Sequence, residues 1–385
     1  MRSRTSLIIL GASISALMLA FASAAQASVQ PSSLACAQPD GRVSASAVDS
    51  GVLYIGGRFT HVSDRQGDSQ ARAGLAAIDV ASCDVLPWRA DTNGYVNTLD
   101  VAGGTVYAGG DFTTVAGLTR TRIAALDAAT GTVLSFQHSV DKSVRAITHY
   151  GTTLYVGGAF TKVDGSSRSG LAGFDINSGS LSTTWKPNAA GIVRALVPSA
   201  RNGRIYVGGE FSSLDGQANY AYMGAVDPID GTVNAGFNPH AGFPILSLVI
   251  DSQGVYAGGG GSGGHLVLWN DDGSLQRPVY QTDGDVQAVA VSGDSVYGGG
   301  HFANYCLGNT GAGAPFICDK PLTRRKLLEV SLTSGDVTSW APKLNSNLGV
   351  FNESIDPLSG DLFVGGDFTT INSIPHAHLD AFPGK

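Results

Sequence analysis

The chain has 385 residues, with 24 Lys and Arg against 31 Asp and Glu and a formal net charge of −7. An acidic balance of this kind offers no electrostatic footprint for phosphate backbones, so nucleic acid is set aside as a partner. The length is large for one ordinary domain but within what a repeat architecture buries as a single unit, so it does not by itself ask for two domains.

Arg2 and Arg4, an apolar run from Leu7 to Ala24 and then Ala25-Gln26-Ala27 follow the charged, apolar and small-residue order of a secretory signal. A signal peptide over 1–27 is expected, with a single mature domain over 28–385. Cleavage would remove two arginines and no acid, taking the net charge to −9. No other stretch approaches the roughly 20 apolar residues of a membrane span, so no span is expected after cleavage. Cys36, Cys83, Cys306 and Cys318 then sit in an exported chain, where disulfides persist. Cys306 and Cys318 flank a Gly-rich insertion, 307–317, that a bridge would clip, which leaves Cys36 with Cys83 by elimination. None of the four forms a C-x-x-C pair, so no metal site is assigned to them.

The strings LYIGGRF, VYAGGDF, LYVGGAF, IYVGGEF, VYAGGGG, VYGGGHF and LFVGGDF each occur once, and they make seven copies of one motif. A V-x-A-L-like piece precedes the motif, as at Val96–Leu99, Val144–Ile147, Val193–Leu196 and Val286–Val289. An L-A-A-I-D-like piece follows it, as at Leu75–Asp79, Ile123–Asp127, Leu171–Asp175 and Met223–Asp227. A tight turn then leads to a last piece marked by Trp88, Phe136, Trp185, Phe237 or Trp340. Short β-branched or aromatic pieces bounded by Gly, Asn, Asp or Pro predict strands, four to a copy. The expected fold is therefore all-β, a seven-bladed β-propeller of four-stranded antiparallel blades. The glycine pairs suit close backbone approach or positive φ. After LFVGGDF the chain supplies only a third strand, so the N-terminal strand is expected to complete the last blade and close the ring.

The Y-V-G-G-x-F-T and L-A-x-x-D-x-x-x-G strings resemble secreted bacterial β-propellers with delta-60-type repeats, a group of largely unknown function. The resemblance covers nearly the whole mature chain. It implies the fold and says nothing about activity.

Chemistry is expected on the face where the loops between strands two and three and between blades emerge. The residue after each Gly-Gly pair varies, as Arg58, Asp111, Ala159, Glu210, Gly260, His301 and Asp367. Of these, Asp111, Glu210, His301 and Asp367 are the catalytic candidates. Arg58, His61, His138, Lys142 and His240 are the binding candidates. Two readings compete, both for a monomer. The first is a recognition surface for an extracellular partner, carbohydrate ahead of protein. The second is a carbohydrate-active enzyme, a polysaccharide lyase or glycoside hydrolase, at the same face. No cofactor is implied; calcium is the one ion that loop carboxylates could hold, though no run matches a calcium loop. Arg72, Arg120, Arg168 and Arg324 recur in register and are expected to brace blades, while Asp79, Asp127, Asp175 and Asp227 are expected to form turns. His376 and His378 could share one strand face, with no third metal ligand in view.

Overall fold

The computed structural model describes residues 29–30, 32–307 and 318–384. The signal expected over 1–27, and all of the 307–317 insertion except Leu307, lie outside the described residues. The chain is all-β; the one helical turn among the described residues is a 3-10 turn at Ala218–Tyr220.

Seven times an antiparallel meander of three strands recurs, with the middle strand carrying the Gly-Gly pair. Unit one pairs Val43–Asp49, Val52–Gly57 and Leu75–Asp79. Unit three pairs Val144–Tyr150, Thr153–Gly158 and Leu171–Asp175, and unit seven pairs Val350–Ile355, Leu362–Gly366 and Leu379–Phe382. The sheets remain separate rather than merging into one closed sheet; the fifth unit alone is extended, through Tyr280–Thr282, to a hairpin of the sixth.

The expected fourth strand is reduced. After the third strand of units one to six the chain turns and makes a bridge, Ile78 with Val85, Leu126 with Val133, Phe174 with Leu181, Val226 with Val233, Trp269 with Leu275 and Val330 with Val337. The reason is the turn. Asp127 Oδ1 accepts the amides of Ala129 and Thr130, Asp175 does the same for Asn177 and Ser178, and the glycine that follows takes positive φ. Past the bridge the segment leaves to place its aromatic residue and no ladder develops, except in unit five, where Tyr280–Thr282 pairs with Gly264–Leu266. The arginines brace this segment: Nη2 of Arg72, Arg120, Arg168 and Arg324 donates to the carbonyls of Leu86, Leu134, Ser182 and Thr338, each fourteen residues on.

The core lies between units. First strands touch from each unit to the next, and that of unit seven touches that of unit one. Each of seven apolar clusters is shared by two units. Tyr54, Leu75 and Trp88 of unit one pack with Val96 and Leu99 of unit two, and Leu53 and Ile55 pack with Phe363 and Leu379 of unit seven. Polar tips join the same boundaries. Tyr54 Oη donates to Ala128 O at 2.8 Å and Trp185 Nε1 to Asp227 O at 2.9 Å.

The Gly-Gly pairs have a steric cause. None of these motif glycines takes positive φ, so close approach rather than an unusual backbone requires them. A Cβ on the first glycine would strike the first-strand residue of the next unit: Gly56 would meet Val96 Cγ1 at 2.5 Å, Gly157 Val193 Cγ1 at 2.6 Å and Gly208 Ile245 Cγ2 at 2.6 Å. Gly365 of unit seven would meet Val43 Cγ1 of unit one at 2.8 Å. A Cβ on the second glycine would strike a carbonyl leading into its own first strand, that of Arg42 for Gly57 and of Ser143 for Gly158.

Cys36 bonds to Cys83 and Cys306 to Cys318, with Cα–Cα distances of 4.8 and 5.3 Å, as the spacing suggested. Beside the first bridge, Leu34 N donates to Ala381 O at 2.8 Å, where Ala381 faces Phe363. In unit one Leu86 N donates in the same way to Ala77 O, where Ala77 faces Tyr54. Leu34 thus makes in unit seven the hydrogen bond that Leu86 makes in unit one. No helix among the described residues is long and apolar enough to cross a membrane.

Candidate functional site

Opposite every Gly-Gly pair the first strand carries a β-bulge. Val43 and Ala45 face Gly57 and Gly56, Val144 and Ala146 face Gly158 and Gly157, and Val193 and Ala195 face Gly209 and Gly208, so one residue per unit is left unpaired. The same shift occurs in the other four units. A bulge re-aims the side chain it leaves over. All seven residues so released, Ser44, Asn97, Arg145, Arg194, Leu246, Gln287 and Phe351, line one cavity of about 700 Å³. This is the x of the V-x-A-L pieces. The position before it is Val or Ile in every copy while it varies, and that contrast is the signal that would have found the site.

Three of the residues singled out after the Gly-Gly pairs, Arg58, Asp111 and Glu210, also line the cavity, whereas His301 and Asp367 do not. His301 Nδ1 stands 3.8 Å from Asp285, which does. The remaining binding candidates lie outside. His61 is exposed beside Asp40, Lys142 and His240 are exposed on loops, and His138 is held between Asp164 Oδ2 at 2.6 Å and Gly179 O at 2.7 Å. His138 also packs on Phe136 and Phe174, a joint between outer segments.

The cavity's charges are unevenly matched. Arg194 Nε and Nη2 both reach Glu210 Oε1, at 2.7 and 2.5 Å. Asp111 accepts from Asn97 Nδ2 at 3.1 Å, and that amide also reaches Ser143 Oγ and Val144 O. Arg58 lies over the ring of Tyr95 at 4.7 Å and Arg42 over Phe351 at 4.5 Å, cation–π contacts that leave both guanidiniums without a carboxylate. Tyr95 itself is 42 % exposed. Arg145 makes no hydrogen bond or ion pair among the described residues, and its Nε is shut off from solvent. Burial and then the neighbouring Arg194 push the Arg145 pKa down, only partly offset by Asp111 and Glu210. Glu353 has both carboxyl oxygens sealed behind the cavity wall, and burial raises its pKa well above the ordinary carboxylate range despite the Ala290 amide. With both oxygens shut off from solvent, it presents no carboxylate to a ligand in the cavity.

Among the described residues no three His, Cys, Asp or Glu side chains gather as metal ligands. His376 Nδ1 instead stands 3.0 Å from the buried Asp380, and His378 Nδ1 lies 3.2 Å from Gly366 O.

No protein-family model matches the chain, and no curated protein matches it. Solved structures do. The WD40 β-propeller domain of Doa1 superposes with a TM-score of 0.58 at 11% identity, over 91% of this chain and 96% of that one. The computationally designed Ika8 protein gives 0.51 at 13% identity, over 90% and 98%. At such identities the likeness speaks to fold alone, and the fold it defines is that of a β-propeller.

Proposed function

We propose that the chain is a secreted recognition module, a seven-bladed β-propeller of the delta-60-repeat kind closed by its N-terminal segment, that binds an extracellular carbohydrate at its central cavity. Closure is supported by three features of the boundary between units seven and one, each repeated at the other boundaries: contact of first strands, a shared apolar cluster and the Gly365–Val43 fit. Leu34 supplies the hydrogen bond of the missing fourth segment. Export is supported by the signal-like N-terminus and the two disulfides.

The observation that carries the binding reading is the set of seven bulge residues. One scaffold position, identical in backbone geometry, presents serine, asparagine, two arginines, leucine, glutamine and phenylalanine to a single concavity. Blade packing needs no such variety, whereas hydroxyl-rich ligands need amide, hydroxyl and guanidinium partners beside aromatic faces. Tyr95 and Phe351 supply the faces. Protein is the weaker partner because the polar groups are recessed rather than spread over a plane. The enzyme reading would draw on Asp111 and Glu210, and both are already engaged, by Asn97 and by Arg194.

The test is calorimetric titration against a panel of neutral and acidic oligosaccharides, with reducing ends and unsaturated-uronate absorbance followed in parallel. Binding without product, lost in Tyr95→Ala, is expected. Product that vanishes in Asp111→Ala or Glu210→Ala would replace the binding reading with the catalytic one. Absence of any saccharide binding would overturn both.

A further inference from the structure

The cavity runs against the charge of the chain around it. The protein is acidic overall, at −7, yet four arginines line the cavity, Arg42, Arg58, Arg145 and Arg194, with no lysine. Against them stand Asp111, Glu210 and Asp285, while the fourth carboxyl of the lining, Glu353, has both oxygens shut off from solvent and faces no ligand. Four guanidiniums thus share the cavity with three carboxylates that a ligand can reach. The guanidiniums are also unevenly engaged: Arg194 is paired with Glu210, Arg42 and Arg58 rest on aromatic rings, and Arg145 alone makes no hydrogen bond, ion pair or ring contact among the described residues.

Such an arginine is costly to keep. A recessed guanidinium has lost part of its hydration, and a donor left unpaired forgoes bonds that water would have supplied. The bulge at Val144–Ala146 nevertheless aims Arg145 into the cavity, next to Arg194. Arg194 is fixed by two nitrogens on one carboxylate oxygen, so its position is set before any ligand arrives. Guanidinium groups present planar, parallel donors that match a carboxylate. A neutral ligand would leave this charge uncompensated.

We infer that the cavity selects an acidic sugar, with the carboxylate of a uronate seated on Arg145 beside the fixed Arg194 and the sugar ring against the Tyr95 face. Arg145 is the specificity-determining group. The inference rests on the carbohydrate reading above and narrows it to one chemical class.

The experiment compares a short oligogalacturonate with its methyl ester, the same sugar with its charge removed, by calorimetric titration of the intact protein alongside neutral cello- and xylo-oligosaccharides. The acid is expected to bind roughly tenfold or more tightly than the ester, the usual scale for a charge-assisted pair. In Arg145→Gln, checked for an unchanged melting transition, that preference should collapse while the ester's affinity stays within about twofold. Arg145→Lys, which keeps the charge and loses the fork, should retain part of it. Equal affinity for acid and ester, or a preference that survives Arg145→Gln, would overturn the inference and leave the carbohydrate reading standing. Binding of the neutral oligosaccharides alone would do the same. Failure of every saccharide to bind would overturn both.

Discussion

The first glycine of each pair offers a quantitative test of how the units fit together. In Gly157→Ala the new methyl would come within 2.6 Å of Val193 Cγ1, and Val193 is fully buried. Carbon atoms settle at about 3.5–4.0 Å, so unit four would have to move by about 1 Å. Overpacking of this kind costs about 1–3 kcal/mol, reduced by about 0.4–1 kcal/mol because alanine restricts the unfolded chain. Val193→Ala removes two carbons from the same contact, at about 2–3 kcal/mol with the cavity included. In the double variant the added methyl fills part of the space that the valine vacates. The two costs then fail to add, and a coupling of about 1–2 kcal/mol is expected. Gly365→Ala with Val43→Ala, both in an Asn352→Ala background because Asn352 Oδ1 stands closer still to that methyl, repeats the experiment at the boundary of units seven and one, where the approach to Val43 Cγ1 is 2.8 Å. Gly158→Ala is the control: its methyl would strike the Ser143 carbonyl, and no side-chain truncation relieves a clash with backbone. Guanidinium unfolding followed by far-ultraviolet dichroism and tryptophan fluorescence gives the energies, provided the two probes coincide. Coupling below about 0.5 kcal/mol at Gly365–Val43 but not at Gly157–Val193 would refute ring closure by equivalent packing. Weak coupling at both would refute the steric account of the glycine pairs.

Three further outcomes follow from the same structure. Cys36 and Cys83 close a loop of 47 residues and Cys306 and Cys318 one of 12, so loop entropy assigns about 4 and about 3 kcal/mol to them respectively. Replacing Cys36 and Cys83 by serine should speed hydrogen exchange at the Leu34 amide, and unchanged exchange there would show that the bridge does not hold the N-terminal segment. His149 Nδ1 lies 2.7 Å from Asp100 Oδ2, and that hydrogen bond raises the His149 pKa against the opposing effect of burial. A raised histidine pKa stabilises fully below its unfolded value and loses that contribution as pH rises through the folded value. The melting temperature of the wild type should therefore exceed that of Asp100→Asn at pH 5.5 by more than at pH 9, and a pH-independent difference would contradict the pairing. Glu353 has the opposite consequence, since a carboxyl kept protonated in the fold ionises on unfolding and so destabilises progressively above its ordinary pKa. Glu353→Gln should raise the melting temperature at pH 7 and change it little at pH 4; a loss at pH 7 would mean the carboxyl is ionised in place.

Much of the fold was legible because its cause is local and repeated. The spacing of the Gly-Gly strings gave the number of units, and the in-register arginines and aspartates were recognisable as braces and turns because four copies use each of them alike. The disulfide pairs followed from spacing. What the strings concealed was the consequence of steric fit. A glycine pair lets the next unit's valine and the unit's own first strand come close, and the strand answers that approach with a bulge. The bulge decides which side chain faces the cavity. Of the variable residues after Gly-Gly, Arg58, Asp111 and Glu210 line the cavity, but Asn97, Arg145 and Arg194 were passed over, because the reading followed the glycine strand and not the variable x of the first strand, which the bulge turns toward the cavity. The fourth strand was overestimated for a related reason: its sequence has strand character, yet the aspartate turn before it and the aromatic anchor after it leave room for one bridge.

The division between constant and variable positions also explains why recognition can change without loss of the fold. Val144 and Ala146 are buried on either side of Arg145, and Val193 and Ala195 on either side of Arg194, so the packing of each unit is carried by the neighbours of the bulge residue. The bulge residue itself is half-exposed to the cavity and contributes little to that packing. Serine, leucine and phenylalanine occupy the same position in units one, five and seven with the same register shift. A substitution there changes what the cavity presents while the glycine–valine contacts, which set the geometry, stay as they are. Seven such positions around one concavity form a surface whose chemistry is set residue by residue, and in the proposed binding of a uronate Arg145 is the most specific choice made on it.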